Sequence, residues 1–182
     1  MRIFGWLFLA TLSLVLMVQL TFLGRPLHVP EAPAGIVSFE LAFTPERAAA
    51  IADAWRKEGV LETARVSLGL DVVFLLIYPA FFALSVGLLR TAGQRYAPHG
   101  STSRVHNLGR PLMWLVLLCT PLDALENYLL WQILAEGATP ARTLLAGTAA
   151  TIKFLLVATA LVWCLIAVAR RGRQYARRPA RS

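Results

Sequence analysis

The chain has 182 residues, of which 57% are hydrophobic and 15% charged, with a mean hydropathy of +0.61. Water-soluble domains run near ~45–50% apolar and ~25% charged, so this excess calls for a solvent other than water. The apolar stretches use most of the length and leave no room for a separate soluble catalytic domain with its own core.

In chain order, spans are expected at about residues 3–23, 66–90, 111–134 and 143–169. Each reaches the ~20 residues that a helix needs to cross ~30 Å of hydrocarbon. The expected fold class is an all-α integral membrane protein, a four-transmembrane-helix bundle forming a single membrane domain over residues 1–182. The first stretch is longer than the ~7–15 apolar residues of a signal peptide and ends at Leu23-Gly24-Arg25-Pro26 without a small-x-small cleavage site, so it reads as a retained span.

The net charge of +8 raises nucleic acid as a partner, but the placement of the charges argues otherwise. Eleven arginines, from Arg2 through Arg90, Arg95, Arg104 and Arg110 to the cluster in the tail at 170–182, fall on one side of the spans with no acid among them. The other side mixes six basic residues with seven acids, Glu31, Glu40 and Glu46 among them. The positive-inside rule then puts both termini and the second loop in the cytoplasm and the loop 24–65 outside. Arginines of this kind anchor topology and touch anionic headgroups. The tail has no aromatic interleaving beyond Tyr175, so nucleic acid is not an expected partner. Sixteen arginines against two lysines suit a GC-rich bacterium, and the expected location is a bacterial inner membrane.

The exterior loop carries one element of its own. Thr44 suits an N-cap, Pro45 the first helical position and Glu46 the positive end of the dipole. Ala48, Ile51, Ala52 and Trp55 recur at helical spacing and Gly59 supplies a stop. A short amphipathic helix is expected over about 45–58, its apolar face on the membrane surface or lidding the bundle.

Residues 91–110, rich in Gly, Pro, Ser and Arg, read as an irregular connection. His99 and His106 in it are not a metal signature without further ligands. No histidine lies inside a span, which removes bis-histidine haem. Cys119 and Cys164 sit singly within spans, which removes a disulfide framework and paired-thiol redox chemistry. Phosphate-cradling and Gly-x-Ser-x-Gly motifs are absent as well. No cofactor, metal site or catalytic residue is expected on these grounds.

What stands out is a set of ionisable residues inside the spans: Asp71 in the second, Asp123 and Glu126 in the third, Lys153 in the fourth. Each costs ~2.5–3.5 kcal/mol at the centre of a lone helix, so they are expected to face inward and find partners. Asp123, Glu126 and Asn127 share one face at i, i+3 and i+4. Ser67, Asp71 and Tyr78 share a face of the second helix. Ala146, Ala150, Lys153, Val157 and Ala160 form a stripe on the fourth whose small members permit close approach. At ~1.5 Å per residue, Asp71, Glu126 and Lys153 fall roughly 9–15 Å below the outer surface, at overlapping depths. Pro79 and Pro121, beside Tyr78 and Asp123, can kink their helices and open a cavity.

Lys153 is expected to be the counter-ion of the Asp123/Glu126/Asn127 face, with Arg142, three turns before it, reaching down to balance the excess acid. Two functions follow. Asp71, Tyr78, Asp123, Glu126, Asn127 and Lys153 can form a site for a small polar or amphiphilic ligand, for transport, sensing or lipid-headgroup binding. Alternatively, they form a structural polar network in an accessory or scaffolding subunit of a larger membrane complex. An enzyme using Asp123 and Glu126 as an acid–base pair would need a nucleophile or metal beside them, and the sequence shows neither. The partners expected are membrane lipids, a small amphiphilic ligand and a membrane-protein partner.

Overall fold

The computed structural model describes residues 2–95 and 104–176. Helices account for nearly all of them: α1 (Arg2–Gly24), α2 (Ile36–Glu40), α3 (Pro45–Lys57), α4 (Leu61–Arg95), α5 (Arg104–Leu117), α6 (Cys119–Glu136) and α7 (Pro140–Ala176). A 3-10 turn at Arg25–Leu27 follows α1, and among the described residues there is no strand, only a single bridge between Val29 and Ala32. Four segments are long and apolar enough to cross a membrane: Ile3–Leu27, Leu61–Ala92, Asn107–Glu136 and Pro140–Gly172. This is the composition of a multi-pass membrane protein. Phe4, Phe8, Leu76, Trp114, Leu155 and Leu165 project outward and are each more than half exposed. So continuous an apolar exterior suits hydrocarbon and not water.

α4 is the axial element, in contact with α1, α5, α6 and α7, while α6 lies along α7. α1 packs chiefly on α4, pinned where the Trp6 indole donates to Ser85 Oγ at 2.8 Å and stacks near Phe81. The interior is layered along the bundle. At one end Leu27, Phe39, Ile51, Trp55, Leu130 and Ile133 form an apolar cluster. At the other end Val86, Leu112, Val116, Ala160, Trp163 and Ala167 form a second. Leu75, Tyr78 and Cys119 fill the middle.

The first cluster is a cap built by the chain between α1 and α4. Thr44 Oγ1 accepts from the Arg47 amide at 3.3 Å and opens α3. Gly59, at φ +73°, closes it: its amide bonds the Arg56 carbonyl and the Val60 amide bonds Trp55 at 2.9 Å, the paired pattern of a left-handed helix stop. Glu58 is the C-cap, so the helix proper ends one residue before the expected limit. Of the two seats open to the apolar face of α3, the face takes the bundle: Ala48, Ile51 and Trp55 are fully buried, and Trp55 Nε1 donates to the Leu27 carbonyl at 2.9 Å.

Two expectations about the long helices need correction. Residues 91–95 and 104–110 are helical and not irregular as expected of 91–110; residues 96–103, with His99, and the side chain of His106 lie outside the described residues. Packing overrides the breakers there. Gly109 lies where a Cβ would meet the Trp163 ring at 2.6 Å, so the glycine serves close approach of α5 to α7 and does not end a helix. The third long helix, in turn, is not continuous. α5 and α6 are divided at Leu118, whose amide makes a tightened bond to the Leu115 carbonyl at 3.1 Å. Pro121 has no amide to offer the Leu117 carbonyl, which loosens the ladder at that point.

Candidate functional site

The polar groups lie between the cap cluster and the middle layer. α6 carries Asp123, Glu126 and Asn127 on its buried face, and all three are nearly inaccessible. α7 presents Lys153 opposite them, where buried Ala146, Ala149 and Ala150 let it come close to α6. The Lys153 ammonium lies 2.8 Å from Asp123 Oδ1 and 2.8 Å from Glu126 Oε2. Tyr78, from α4, donates to Asp123 Oδ2 at 2.9 Å. Asp123 thus has a partner on each oxygen, and three helices are joined through one carboxylate.

Asn127 points the other way. Its amide donates to Asp71 Oδ2 at 2.6 Å, and Asp71 is only half-buried. The six residues singled out from the sequence therefore form two adjoining sets: Lys153, Asp123, Glu126 and Tyr78 in the interior, and Asp71 with Asn127 toward the side of the bundle. Asp71 remains within electrostatic reach of Asp123 and Lys153.

The sequence reading missed a participant. Glu40, counted there among the exterior acids, ends α2 and is buried, with Oε2 at 3.9 Å from Lys153 Nζ. Lys153 stands roughly 20 Å along α7 from Pro140 at ~1.5 Å per residue, so α2 fills the mouth between α6 and α7 and does not rest on its rim. Phe43, held at φ +56°, packs on Gly147 at the same mouth, where a Cβ would meet its ring at 2.7 Å. A five-residue helix has too little periodicity to announce such burial; the apolar neighbours Phe39 and Leu41 are the only local sign. Burial lifts the Glu40 carboxyl above the ordinary carboxylate range; the Lys153 ammonium opposes that rise and Asp123 adds to it.

Arg142 is a second correction. It does not reach down to the acids but pairs with Glu136 and donates to the Gly137 carbonyl at 3.1 Å. The connection between α6 and α7 is short, and Gly137 at φ +100° turns the carboxylate and carbonyl toward the guanidinium, so the nearer partners win. Three carboxyl groups, Glu40, Asp123 and Glu126, consequently share one ammonium. Glu40 Oε2 and Glu126 Oε1 are buried without a hydrogen-bond donor, and Glu126 Oε2 has only the Lys153 ammonium.

Beside Asn127 the bundle opens laterally. An apolar groove of about 400 Å³ runs between α4 and α6, lined by Leu68, Gly69, Val72, Leu75, Tyr128 and Trp131 with Asn127 in its wall. It shares Gly69 and Trp131 with a more open depression of about 760 Å³ that reaches Glu62 and Arg65. A Cβ on Gly69 would meet nothing within 4 Å, so that glycine is floor and not filler. Among the described residues no group of three or more His, Cys, Asp and Glu is arranged to hold a metal ion. Comparison with protein families, with curated proteins and with solved structures finds no match for this chain.

Proposed function

We propose that the chain is a four-span bundle of a bacterial inner membrane, with both termini cytoplasmic and the α2–α3 cap outside, that binds a small amphiphile entering from the outer leaflet. The orientation rests on the arginines that flank the uncapped end and the acids that collect at the cap. One observation carries the binding reading: the groove between α4 and α6 is apolar along its length and ends on Asn127, whose amide is already committed to the half-buried Asp71. A hydrocarbon tail fits the Leu68–Val72–Trp131 wall, and a polar group fits the Asn127–Asp71 pair, which offers an acceptor in a medium where acceptors are scarce.

Native mass spectrometry of the purified protein tests this. Wild type is expected to retain an amphiphile adduct through detergent removal, and Gly69→Trp, which fills the groove floor, is expected to lose it while melting normally. An adduct held equally by both proteins, or none in wild type, overturns the reading.

A second reading has its own support, because Lys153, Asp123 and Glu126 are enclosed and none of them lines the groove. A network of this kind fixes the register of helices in an accessory or scaffolding subunit. Migration of the protein at its monomer mass in gentle extracts of the source cells would remove that alternative.

A further inference from the structure

Two buried carboxyl groups, Glu40 from α2 and Glu126 from α6, meet at a single ammonium, at 3.9 Å and 2.8 Å, that also bonds Asp123 at 2.8 Å. Glu126 is fully buried and Glu40 is 8% exposed. Glu40 Oε2 and Glu126 Oε1 have no hydrogen-bond partner, and Glu126 Oε2 has only the ammonium at 2.8 Å, with Glu40 Oε2 3.9 Å from the same nitrogen. An ionised carboxylate can only accept. Two of them side by side in a low-dielectric interior repel and leave acceptors unsatisfied, whereas one proton between them supplies the missing donor and removes a charge.

We propose that Glu40 and Glu126 hold one proton in common, and that this proton latches the α2–α3 cap into the mouth of the bundle. The remaining groups around the pair do not offer another solution. From α7 there is Lys153, engaged by Asp123 and Glu126 Oε2; from α6, Asp123, which also accepts from Tyr78 of α4; beyond them Asp71, bonded to Asn127. α3 turns Glu46, Arg47, Asp53, Arg56 and Lys57 away from the pair, toward its outer side. Of the acids facing Lys153, Glu40 alone rides on a short element that can withdraw. When the shared proton leaves to the aqueous phase at the capped end, the O–H bond breaks heterolytically and both carboxyl groups are anionic. Withdrawal of α2 then separates the charges and hydrates Glu40, and the cap opens. This site is distinct from the groove and stands whether or not an amphiphile binds there.

The full-length protein in lipid nanodiscs tests the proposal by infrared spectroscopy and hydrogen exchange. At neutral pH wild type is expected to show a protonated-carboxyl stretch that both Glu40→Gln and Glu126→Gln lose, because either amide supplies a donor and lets the surviving acid ionise against Lys153. Raising the pH is expected to remove the same band and, after correction for intrinsic exchange rates, the amide protection of residues 36–57. Glu40→Gln is expected to keep that protection across the same range. A band lost in only one variant assigns the proton to a single acid and overturns the sharing. Cap protection that is indifferent to the band's titration overturns the latch. Should Glu126→Gln not fold, the Glu40→Gln exchange profile decides alone: a pH-dependent cap in that variant refutes the proposal.

Discussion

The Thr120 hydroxyl donates to the Leu75 carbonyl at 3.1 Å, and Leu75 is the residue whose carbonyl Pro79 cannot reach with an amide. A proline inside α4 is thereby repaired from α6, close to the division at Leu118. The repair also sets the register of the two helices that carry Tyr78 and Asp123, because it lies beside their hydrogen bond. In hydrocarbon an unsatisfied carbonyl has no water to fall back on.

Thr120→Val keeps the shape and removes the donor. It is expected to destabilise the bundle by about 1–3 kcal/mol, the cost of a stranded buried acceptor. In a Pro79→Ala background, where the substitution restores the helical amide to the Leu75 carbonyl, the same change is expected to cost clearly less. Equilibrium unfolding of the four proteins measures the cycle. Equal costs in both backgrounds would show that Thr120 does not serve Leu75.

Lys153→Met leaves Asp123 and Glu126 without the cation that pairs them, and removal of one partner of a buried pair costs ~3–5 kcal/mol. Asp123→Asn alone should also destabilise, since it weakens the hold on Lys153 Nζ and alters the Tyr78 bond. The double variant is expected to cost less than the sum of the two. Simple additivity in thermal melts would remove Lys153 as the partner of Asp123.

Stability should also depend on pH through Glu40. Its carboxyl is raised in the folded protein from an ordinary value of 4.5, chiefly by burial. The folded state then binds a proton that the unfolded chain releases, so the stabilisation is complete below that ordinary value and is lost as pH rises toward the raised one. Melting temperature is expected to fall with rising pH across this window in wild type and to flatten in Glu40→Gln. Parallel slopes in the two proteins would show that Glu40 is not the titrating group.

Gly147 and Phe43 make a tighter steric test. Gly147→Ala places a methyl 2.7 Å from the Phe43 ring, whose own backbone sits at φ +56°. Overpacking of this kind costs about 1–3 kcal/mol. The cap should loosen first, visible as faster exchange over residues 36–57, and Phe43→Gly in the same chain should restore it in part by relieving both the clash and the backbone strain. Unchanged exchange in Gly147→Ala would place the contact outside the forces that seat the cap.

For orientation, a single cysteine introduced at Glu58, exposed at the end of α3, is expected to react with an impermeant thiol reagent in intact cells. One at Thr102 is expected to react only after lysis. The opposite pattern reverses the assignment of sides.

The presence of four apolar spans, the approximate limits of α3 and the shared face of Asp123, Glu126 and Asn127 were legible because each depends on neighbours a few residues away. Hydrocarbon thickness sets the run length, Thr44 and Gly59 satisfy the ends of one helix, and 3.6-residue periodicity puts the α6 polar groups on one side. The division at Leu118 was half legible, since Pro121 announces a disturbance but not its position. Other features were decided only by the folded chain. Glu40 stands 113 positions from Lys153 in the sequence, and only its apolar neighbours Phe39 and Leu41 distinguish it locally from Glu31 or Glu46; it is buried because Phe39, Trp55 and Leu27 draw α2 into the mouth of the bundle. Arg142 found Glu136 because the tight turn at Gly137 brought that carboxylate closer than the interior acids. Helix ran through 104–110 where Gly109 packs against Trp163, despite local breaker signals. Local chemistry is written in adjacent residues, whereas the balance of three acids on one lysine arises only when separate helices bury them together.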